Sequence, residues 1–309
     1  MLKRTIIGAA LLIGSFAAIG AERPEWAYPV ASAIQPRITD DGRPKSVPGS
    51  KQKFTQAQID DLANAVDWFP ELHAPMPRPV ALGSGAALAC AVCHLTSGMG
   101  HPESSRLAGL PSAYLKRQLA DFKSGDRKDP ARMSAIGRAL TEEEAGVASE
   151  WFAALTPKPW IKVRETAWVP GNYGSMGRMR LPLPGASPER LGERIVELPQ
   201  VVERARRRDP NSGFIAYVPI GSVAKGRSIA ASGGGKTVPC GTCHGAALTG
   251  LKEVPGITGE SPLYVARQLF DFRNGARGGP SAAAMKPIAA SLDEEDVINL
   301  AAYLASLPP

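Results

Sequence analysis

The sequence predicts an all-α protein built from two tandem copies of one small helical unit. Three observations carry that expectation. The string C-x-x-C-H occurs twice, as Cys90-Ala91-Val92-Cys93-His94 and as Cys240-Gly241-Thr242-Cys243-His244. The residues that follow align without a gap at an offset of 150: Tyr114 with Tyr264, Arg117 with Arg267, Gln118-Leu119 with Gln268-Leu269, Asp121-Phe122 with Asp271-Phe272, and Gly125 with Gly275. Two extra residues then move the offset to 152, which sets Met133 against Met285, Ile136 against Ile288, Leu140 against Leu292 and Leu155 against Leu307. Self-similarity in register over that length marks an internal duplication. In both copies the apolar residues recur at helical spacing.

The elements follow in chain order. Lys3 and Arg4 precede an uncharged apolar run over residues 6–18, and Ala18-Ile19-Gly20 offers small residues for cleavage. Residues 1–20 therefore read as an export signal, with an uncleaved anchor as the alternative. The run is shorter than the roughly 20 residues a membrane span needs, and no later stretch is long and apolar enough, so no stable span is expected after cleavage. An N-terminal extension occupies residues 21–78. In it, Thr55-Gln56-Ala57-Gln58 has the pattern of a capping box, with Phe54 and Ile59 placed as a hydrophobic staple. That helix is expected to run to Trp68 and to pack on the first unit.

The first unit covers residues 79–157. A short helix leads into its C-x-x-C-H string. Ser112 is placed to cap a middle helix whose apolar face is Leu115, Leu119 and Phe122, with Gly125 just past its end. Thr141-Glu142-Glu143-Glu144 forms a second capping box, opening a helix that buries Ala148, Trp151, Phe152 and Leu155. Residues 158–221 form a connecting insertion, long for a linker inside a compact protein. It holds a helix candidate at 188–197 and a β-like run from Phe214 to Val218, and it is expected to wrap over both units. Four arginines at 204–208 read as a solvated helix face, with a docking patch for an acidic protein as the sharper alternative. The second unit covers residues 222–309. Ser261-Pro262 opens its middle helix, with proline in the first turn. Asp293 to Asp296 opens its last helix, with Val297, Leu300, Leu304 and Leu307 on the apolar face.

The chemistry lies in the repeated string. Two thiols three residues apart can form thioethers to one porphyrin edge, and the histidine that follows can place an imidazole nitrogen under the iron. C-x-x-C-H is thus the attachment signature of c-type haem, and two copies imply two covalently bound haem c groups. The alternatives are a redox dithiol and a zinc site made of Cys90, Cys93, Cys240 and Cys243. The two motifs use all four cysteines of the chain, leaving none for a disulfide or a nucleophile. Export fits, because c-type haem is attached outside the bacterial inner membrane. Gly233-Gly234-Gly235-Lys236-Thr237 imitates the end of a phosphate loop, but Ala230 stands where that loop needs glycine.

Composition sets bounds on partners. The formal charge is +7; without Lys3 and Arg4 the 36 basic residues become 34 against 29 acidic ones, a net +5. Four haem propionates would largely offset that excess, so nucleic acid is not an expected partner. Glycine and proline number 32 and 28, well above the usual share of about 12%, which predicts long irregular stretches.

The motif C-x-x-C-H, followed by Tyr-Leu-x-x-Gln-Leu-x-Asp-Phe-x-x-Gly-x-Arg in one copy or its close variant in the other, then a methionine, then an acidic cap before a Tyr/Trp-bearing last helix, resembles the class I cytochrome c family. The likeness is to its tandem dihaem bacterial members and spans residues 79–157 and 222–308. It implies two class I cytochrome c domains, each a small helical bundle around one haem, with the N-terminal extension and the insertion outside the pattern. It implies His94 and His244 as proximal iron ligands. Met133, 39 residues after His94, and Met285, 41 after His244, match the family's distal methionine. Met99, His101 and His73 are weaker competitors, and Met176 and Met179 read as contacts or surface residues. The family often uses a proline carbonyl to hold the proximal histidine. Pro255 matches in the second unit, whereas Ser105 stands at that place in the first.

With His and Met filling both axial positions, the expected function is electron transfer in the periplasm, between a dehydrogenase donor and a cytochrome or terminal oxidase acceptor. Two alternatives remain. One is a haem enzyme, a peroxidase or small-molecule dehydrogenase, with one open iron site, the first unit being the better candidate. The other is the cytochrome subunit of a larger dehydrogenase.

Overall fold

The duplicated helices start where their caps put them. The Thr141 hydroxyl accepts from the Glu144 N–H while the Glu144 side chain reaches back, and the Glu142–Ala153 helix follows. Asp293 and Asp296 form the same reciprocal pair ahead of Glu294–Ser306. Ser261 Oγ accepts from the Tyr264 N–H at 3.1 Å and Pro262 begins the helix Pro262–Arg273. The matching helix of the first unit, Ser112–Ser124, departs from expectation by one residue. Its N-cap is Pro111, with no side-chain cap bond, and Ser112 is the first helical residue. The fixed φ of proline fits the entry there. Gly125 ends the helix at φ 89°, a left-handed conformation that glycine adopts without strain.

These elements belong to a computed structural model that describes residues 23–309, except 29, 34, 36–39, 84 and 86. The export signal expected at residues 1–20 lies outside the described residues.

In the second unit Ser222–Ser232 crosses the last helix, Glu294–Ser306. The crossing is so close that a Cβ on Gly226 would lie 1.9 Å from the Asn299 carbonyl oxygen. Ala301 and Ala302 at the same helix are fully buried. The first unit keeps only one turn of the leading helix, Arg78–Ala81. Its place against Trp151 and Phe152 is filled by Val80, Met76 and Ala65, so the extension completes this core.

The extension itself is less helical than its pattern. The Thr55 capping box forms, and Phe54 joins Ile59 and Trp68 in one apolar cluster. The helix nevertheless ends after five residues, Gln56–Asp60, rather than at Trp68. The Asp61 carboxylate accepts from the Ala63 N–H at 2.8 Å and from the Asn64 amide at 2.6 Å. Such local bonds compete with the helical ladder and turn the chain.

The insertion overturns the all-α expectation, and the second unit adds a short antiparallel pair, Gly250–Leu251 with Val254–Pro255, to its helices. A three-stranded sheet has Phe214–Val218 at its centre, parallel to Ile161–Glu165 and antiparallel to Val196–Pro199. The β-like run is thus a strand, and the helix candidate at 188–197 is not a helix. Glu189–Arg190 pairs with Trp168–Val169, and Val196 pairs with Tyr217. Gly192, at φ 62°, separates the two stretches. The sheet wraps both units, as its length suggested. Trp160 and Phe214 pack on Met99 and Ala108 of the first, while Val163 and Val218 join the core of the second. The extension does the same. Trp26 Nε1 donates to Glu294 at 2.7 Å and Tyr28 Oη to Asp271 at 2.8 Å, both in the second unit.

The arginines at 204–208 are clasps more than a solvated face. Arg204 pairs with the buried Asp209 at 2.6 Å. Arg207 donates to Ser46 O at 2.8 Å, and Arg208 donates to Ile59 O at 2.8 Å and to Val92 O.

Three buried carboxylates lie where the parts meet. Glu260 pairs with Arg106 at 2.9 Å, and Glu103 with Arg267 at 3.1 Å. Glu197 lies in the sheet, fully buried, and accepts from Ser261 Oγ at 2.7 Å. Burial pushes its carboxyl up to about 8, with Glu103 adding repulsion and Arg267 opposing it. Burial also raises Glu103 and Glu260.

A folded-state pKa raised this far sets the sign of the pH dependence. The folded chain holds the Glu197 proton longer than the unfolded chain does. Its contribution to stability is complete below about pH 4.5 and is lost as pH rises through about 8. Denaturation midpoints are expected to fall across that window, and E197Q to flatten the decline; an unchanged slope would count against the buried acid. Gly226→Val is expected to cost about 3 kcal/mol by overpacking the helix crossing, read as a lower denaturant midpoint at constant m.

Candidate haem sites

Each C-x-x-C-H string forms a short helical turn, Cys90–His94 and Gly241–His244. At spacing i, i+3 the two thiols share one face. Just past each histidine the backbone turns to positive φ. Gly245 takes this at 81° without strain, whereas Leu95 takes φ 59°, ψ 162°. That region is nearly glycine-only and costs about 1–3 kcal/mol, so the surroundings must impose it.

The histidines are oriented alike. His94 Nδ1 lies 2.8 Å from the Ser105 carbonyl oxygen, and His244 Nδ1 lies 2.8 Å from the Pro255 carbonyl oxygen. A carbonyl only accepts, so Nδ1 must carry the proton. Burial pulls both imidazoles below their ordinary range and keeps them neutral. The remaining nitrogen, Nε2, then holds a lone pair fit for iron. Ser105 does for His94 what Pro255 does for His244. The acceptor is a backbone atom, so the sequence gap at Ser105 has no consequence for the bond.

A cavity of about 1270 Å³ opens beside the first motif. Cys90, Cys93, His94 and Met133 all line it, with Leu115 and Phe152 among its apolar walls. Met133 begins the helix Met133–Ala139, and Met285 begins the equivalent helix Met285–Ser291. The duplication therefore places both methionines at the same structural position. Met285 is half-buried against the core of the second unit.

The competitors have other work. His101 is half-buried, and desolvation together with nearby arginines and His94 pushes it down to about 3. Its Nδ1 accepts from the Glu103 N–H at 3.2 Å, which leaves the proton on Nε2, 3.3 Å from Ser104 Oγ. No lone pair remains for a metal. Met99 packs beside Trp160, and its Sδ accepts from the Lys158 N–H. His73 contacts Ala74 O and Asp67 and stacks edge-on against Trp151. Met176 is exposed, and Met179 packs in the Trp160–Phe214 cluster.

The other readings of the cysteines fare worse. Burial pushes the Cys90 thiol up to about 12, opposite to the low value a redox thiolate needs. Among the described residues, no group of three or more Cys, His, Asp and Glu is placed to hold a metal ion, which removes the four-cysteine zinc site.

A feature the alignment contained but did not explain lies between the units. Arg127 donates to Gln118 at 2.7 Å in its own unit, and to Tyr264 at 3.2 Å and Gln268 at 2.7 Å in the other. Arg277 donates to Gln268 at 2.9 Å in its own unit, and to Tyr114 at 2.8 Å and Gln118 at 2.9 Å in the other. The two backbones meet in an isolated bridge. Both guanidiniums are buried and all these acceptors are neutral. Among the described residues neither makes an ion pair. Burying cations is costly, and the carboxylates of Asp121 and Asp271, near enough to act on these guanidiniums, offset part of that cost. The paired thiols, the free Nε2 atoms and the cavity together fit c-type haem.

The comparisons with known proteins agree. The cytochrome c family model matches residues 223–308. Cytochrome c4 of Pseudomonas aeruginosa is 32% identical over 231 residues, covering 74% of this chain and 88% of the relative. The thiosulfate dehydrogenase electron acceptor of Thiomonas intermedia is 26% identical over 237 residues, covering 75% and 84%. The solved structure of reduced cytochrome c4 from Pseudomonas stutzeri is 20% identical, covers 71% of this chain and 93% of that one, and has a TM-score of 0.48. The chain thus belongs to the class I cytochrome c family, as a dihaem electron-transfer cytochrome with two covalently bound haem c groups.

Proposed function

We propose that this protein is a periplasmic carrier that passes single electrons from a dehydrogenase to a downstream cytochrome or terminal oxidase. The observation that carries the reading is the matched imidazole geometry. In both units Nδ1 is tied to a backbone carbonyl at 2.8 Å, and a methionine begins the same later helix. When bound, haem supplies a one-electron iron couple.

The residues around it take these roles. Cys90 and Cys93, and Cys240 and Cys243, hold the two porphyrins as thioethers. His94 and His244 present Nε2 to iron, and the carbonyls of Ser105 and Pro255 stop the rings from rotating. Such second-shell bonds also raise ligand basicity. Met133 and Met285 present soft thioethers, which favour the ferrous state and raise the potential. Met133 and Met285 would thus leave no iron position open to substrate, and redox change would need no bond making.

The haem-enzyme alternative asks for an open iron position, the first unit being its better candidate; Met133 begins the same helix in that unit as Met285 does in the second, which favours the carrier. Relatives named thiosulfate dehydrogenase electron acceptors, at 26% and 27% identity, support a dehydrogenase as donor. Thiosulfate dehydrogenase is therefore the first donor to test. An export signal, as the sequence of residues 1–20 leads us to expect, would place the protein in the periplasm; no helix among the described residues is long and apolar enough to cross a membrane.

Substitution of the methionines tests the ligand set. Met133→Ala and Met285→Ala are each expected to abolish the methionine–iron band of one haem in two, to produce a high-spin ferric signal at that haem, and to lower its potential. A spectrum unchanged in either variant would remove that methionine from the ligand set.

A further inference from the structure

In the carrier reading the duplication gives both centres the same ligand types, so a difference between them must come from residues outside the repeat. Arg208, in the insertion, is such a residue. The first motif turn ends at Leu95, which leaves the last carbonyls of the turn without helical partners. His94 O accepts from the Gly100 N–H at 2.9 Å, and Val92 O accepts from Arg208 Nη1. The same guanidinium donates through Nε to Ile59 O of the extension at 2.8 Å. The residue equivalent to Val92 in the second unit is Thr242. Among the described residues no side chain donates to its carbonyl.

The chain holds Arg208 firmly in this place. Its φ is 53°, which a residue other than glycine rarely adopts. The next residue, Asp209, is fully buried, pairs with Arg204 at 2.6 Å and accepts from the Asn211 N–H at 2.9 Å. On the other side, Arg207 O accepts from Trp68 Nε1 at 2.8 Å. The guanidinium is thereby fixed at Val92, which is 1% exposed and directly precedes Cys93 and His94.

An arginine keeps its charge in such a half-buried place. Both bonds of Arg208 go to neutral carbonyls, and among the described residues it makes no ion pair. The exposed Asp60 attracts it and Arg132 repels it. Arg208 and Arg132 are the cations that act on Cys93, with Asp129 opposing them. At the offset of 152, Arg132 and Asp129 correspond to Ala284 and Ser281. The first motif therefore carries a cation from the insertion, and a second one at Arg132, that the repeat does not supply to the other motif.

We propose that Arg208 is a positioning residue for electron transfer, a fixed positive charge that raises the reduction potential of the first haem and leaves the second haem's unchanged. A cation beside the iron site opposes the extra positive charge of the ferric state and so favours the ferrous one. Burial of the turn by the extension and the insertion acts in the same direction, since a dry surrounding disfavours the more charged state. One electron enters the first centre from the donor, and no bond is made or broken. An electron shared between the two centres is drawn toward the first. The inference rests on the carrier reading above.

The experiment is a spectroelectrochemical titration of the full-length dihaem protein at fixed pH and ionic strength. Two one-electron waves are expected, and Met133→Ala, which lowers the first, assigns them. R208Q is expected to lower the first wave by about tenfold in its equilibrium constant, about 59 mV for one electron, with the second wave and the low-spin spectrum unchanged. R208K, which keeps the charge and loses the two-carbonyl fork, is expected to hold the first wave within about twofold of the native one. R207Q releases the neighbouring clasp on Ser46 O without touching the motif, and is expected to move neither wave. D60N, at the exposed carboxylate that partly offsets Arg208, is expected to raise the first wave by about twofold, so the test stands if R208Q fails to take up haem. A first wave that stays in R208Q, that falls as far in R208K or R207Q, or that does not rise in D60N would overturn the proposal, as would an equal shift of the second wave. Two waves that both stay in place in Met133→Ala would instead refute the ligand set on which the carrier reading stands.

Discussion

A single hydrogen bond, made twice, governs what these sites can do. Nδ1 of His94 and Nδ1 of His244 each meet a backbone carbonyl, which fixes the tautomer, the ring plane and the free nitrogen together. The rest of each unit serves to keep that carbonyl in place. The positive-φ turn after the motif brings the loop back, and the strain at Leu95 shows how firmly the first unit imposes it. Burial keeps the imidazole neutral, so the lone pair is present before any metal arrives.

Between the units, the duplicated tyrosine, glutamine and arginine residues serve each other rather than their own cores. Each arginine reaches across to the other unit's glutamine and tyrosine. The resulting pair of buried cations, with Asp121 and Asp271 nearby, ties the two units together. The extension and the insertion add a second layer of ties, and they break the symmetry that the duplication set up.

Much of this was legible in the sequence for a physical reason. Caps are local: Thr141, Ser261 and Asp293 each act on a backbone group three residues away, so their helices start where the pattern said. The equivalence of Met133 and Met285 was legible because two copies were available to align. What was not legible depends on distant or backbone atoms. The strand Val196–Pro199 exists because Phe214–Val218 pairs with it, and a local helical pattern at 188–197 holds no trace of that. Ser105 carries no signal at all, since its carbonyl is common to every residue. The arginines at 204–208 looked solvated because their acceptors, Ser46 O, Ile59 O and Val92 O, are main-chain atoms far away in the sequence. Asp61 could have been found as a stop: an Asp followed by a short polar turn competes with the helix that Thr55 begins.

The account stands on coordinative saturation at both centres, the chemistry that two oriented imidazoles and two equivalent methionines support. Titration of the dithionite-reduced native protein with carbon monoxide at neutral pH examines it most directly. The account predicts no uptake at either haem, with the low-spin ferrous spectrum unchanged. Stoichiometric binding at one haem would show an accessible sixth position, and with it a protein that can do chemistry on a ligand as well as pass charge.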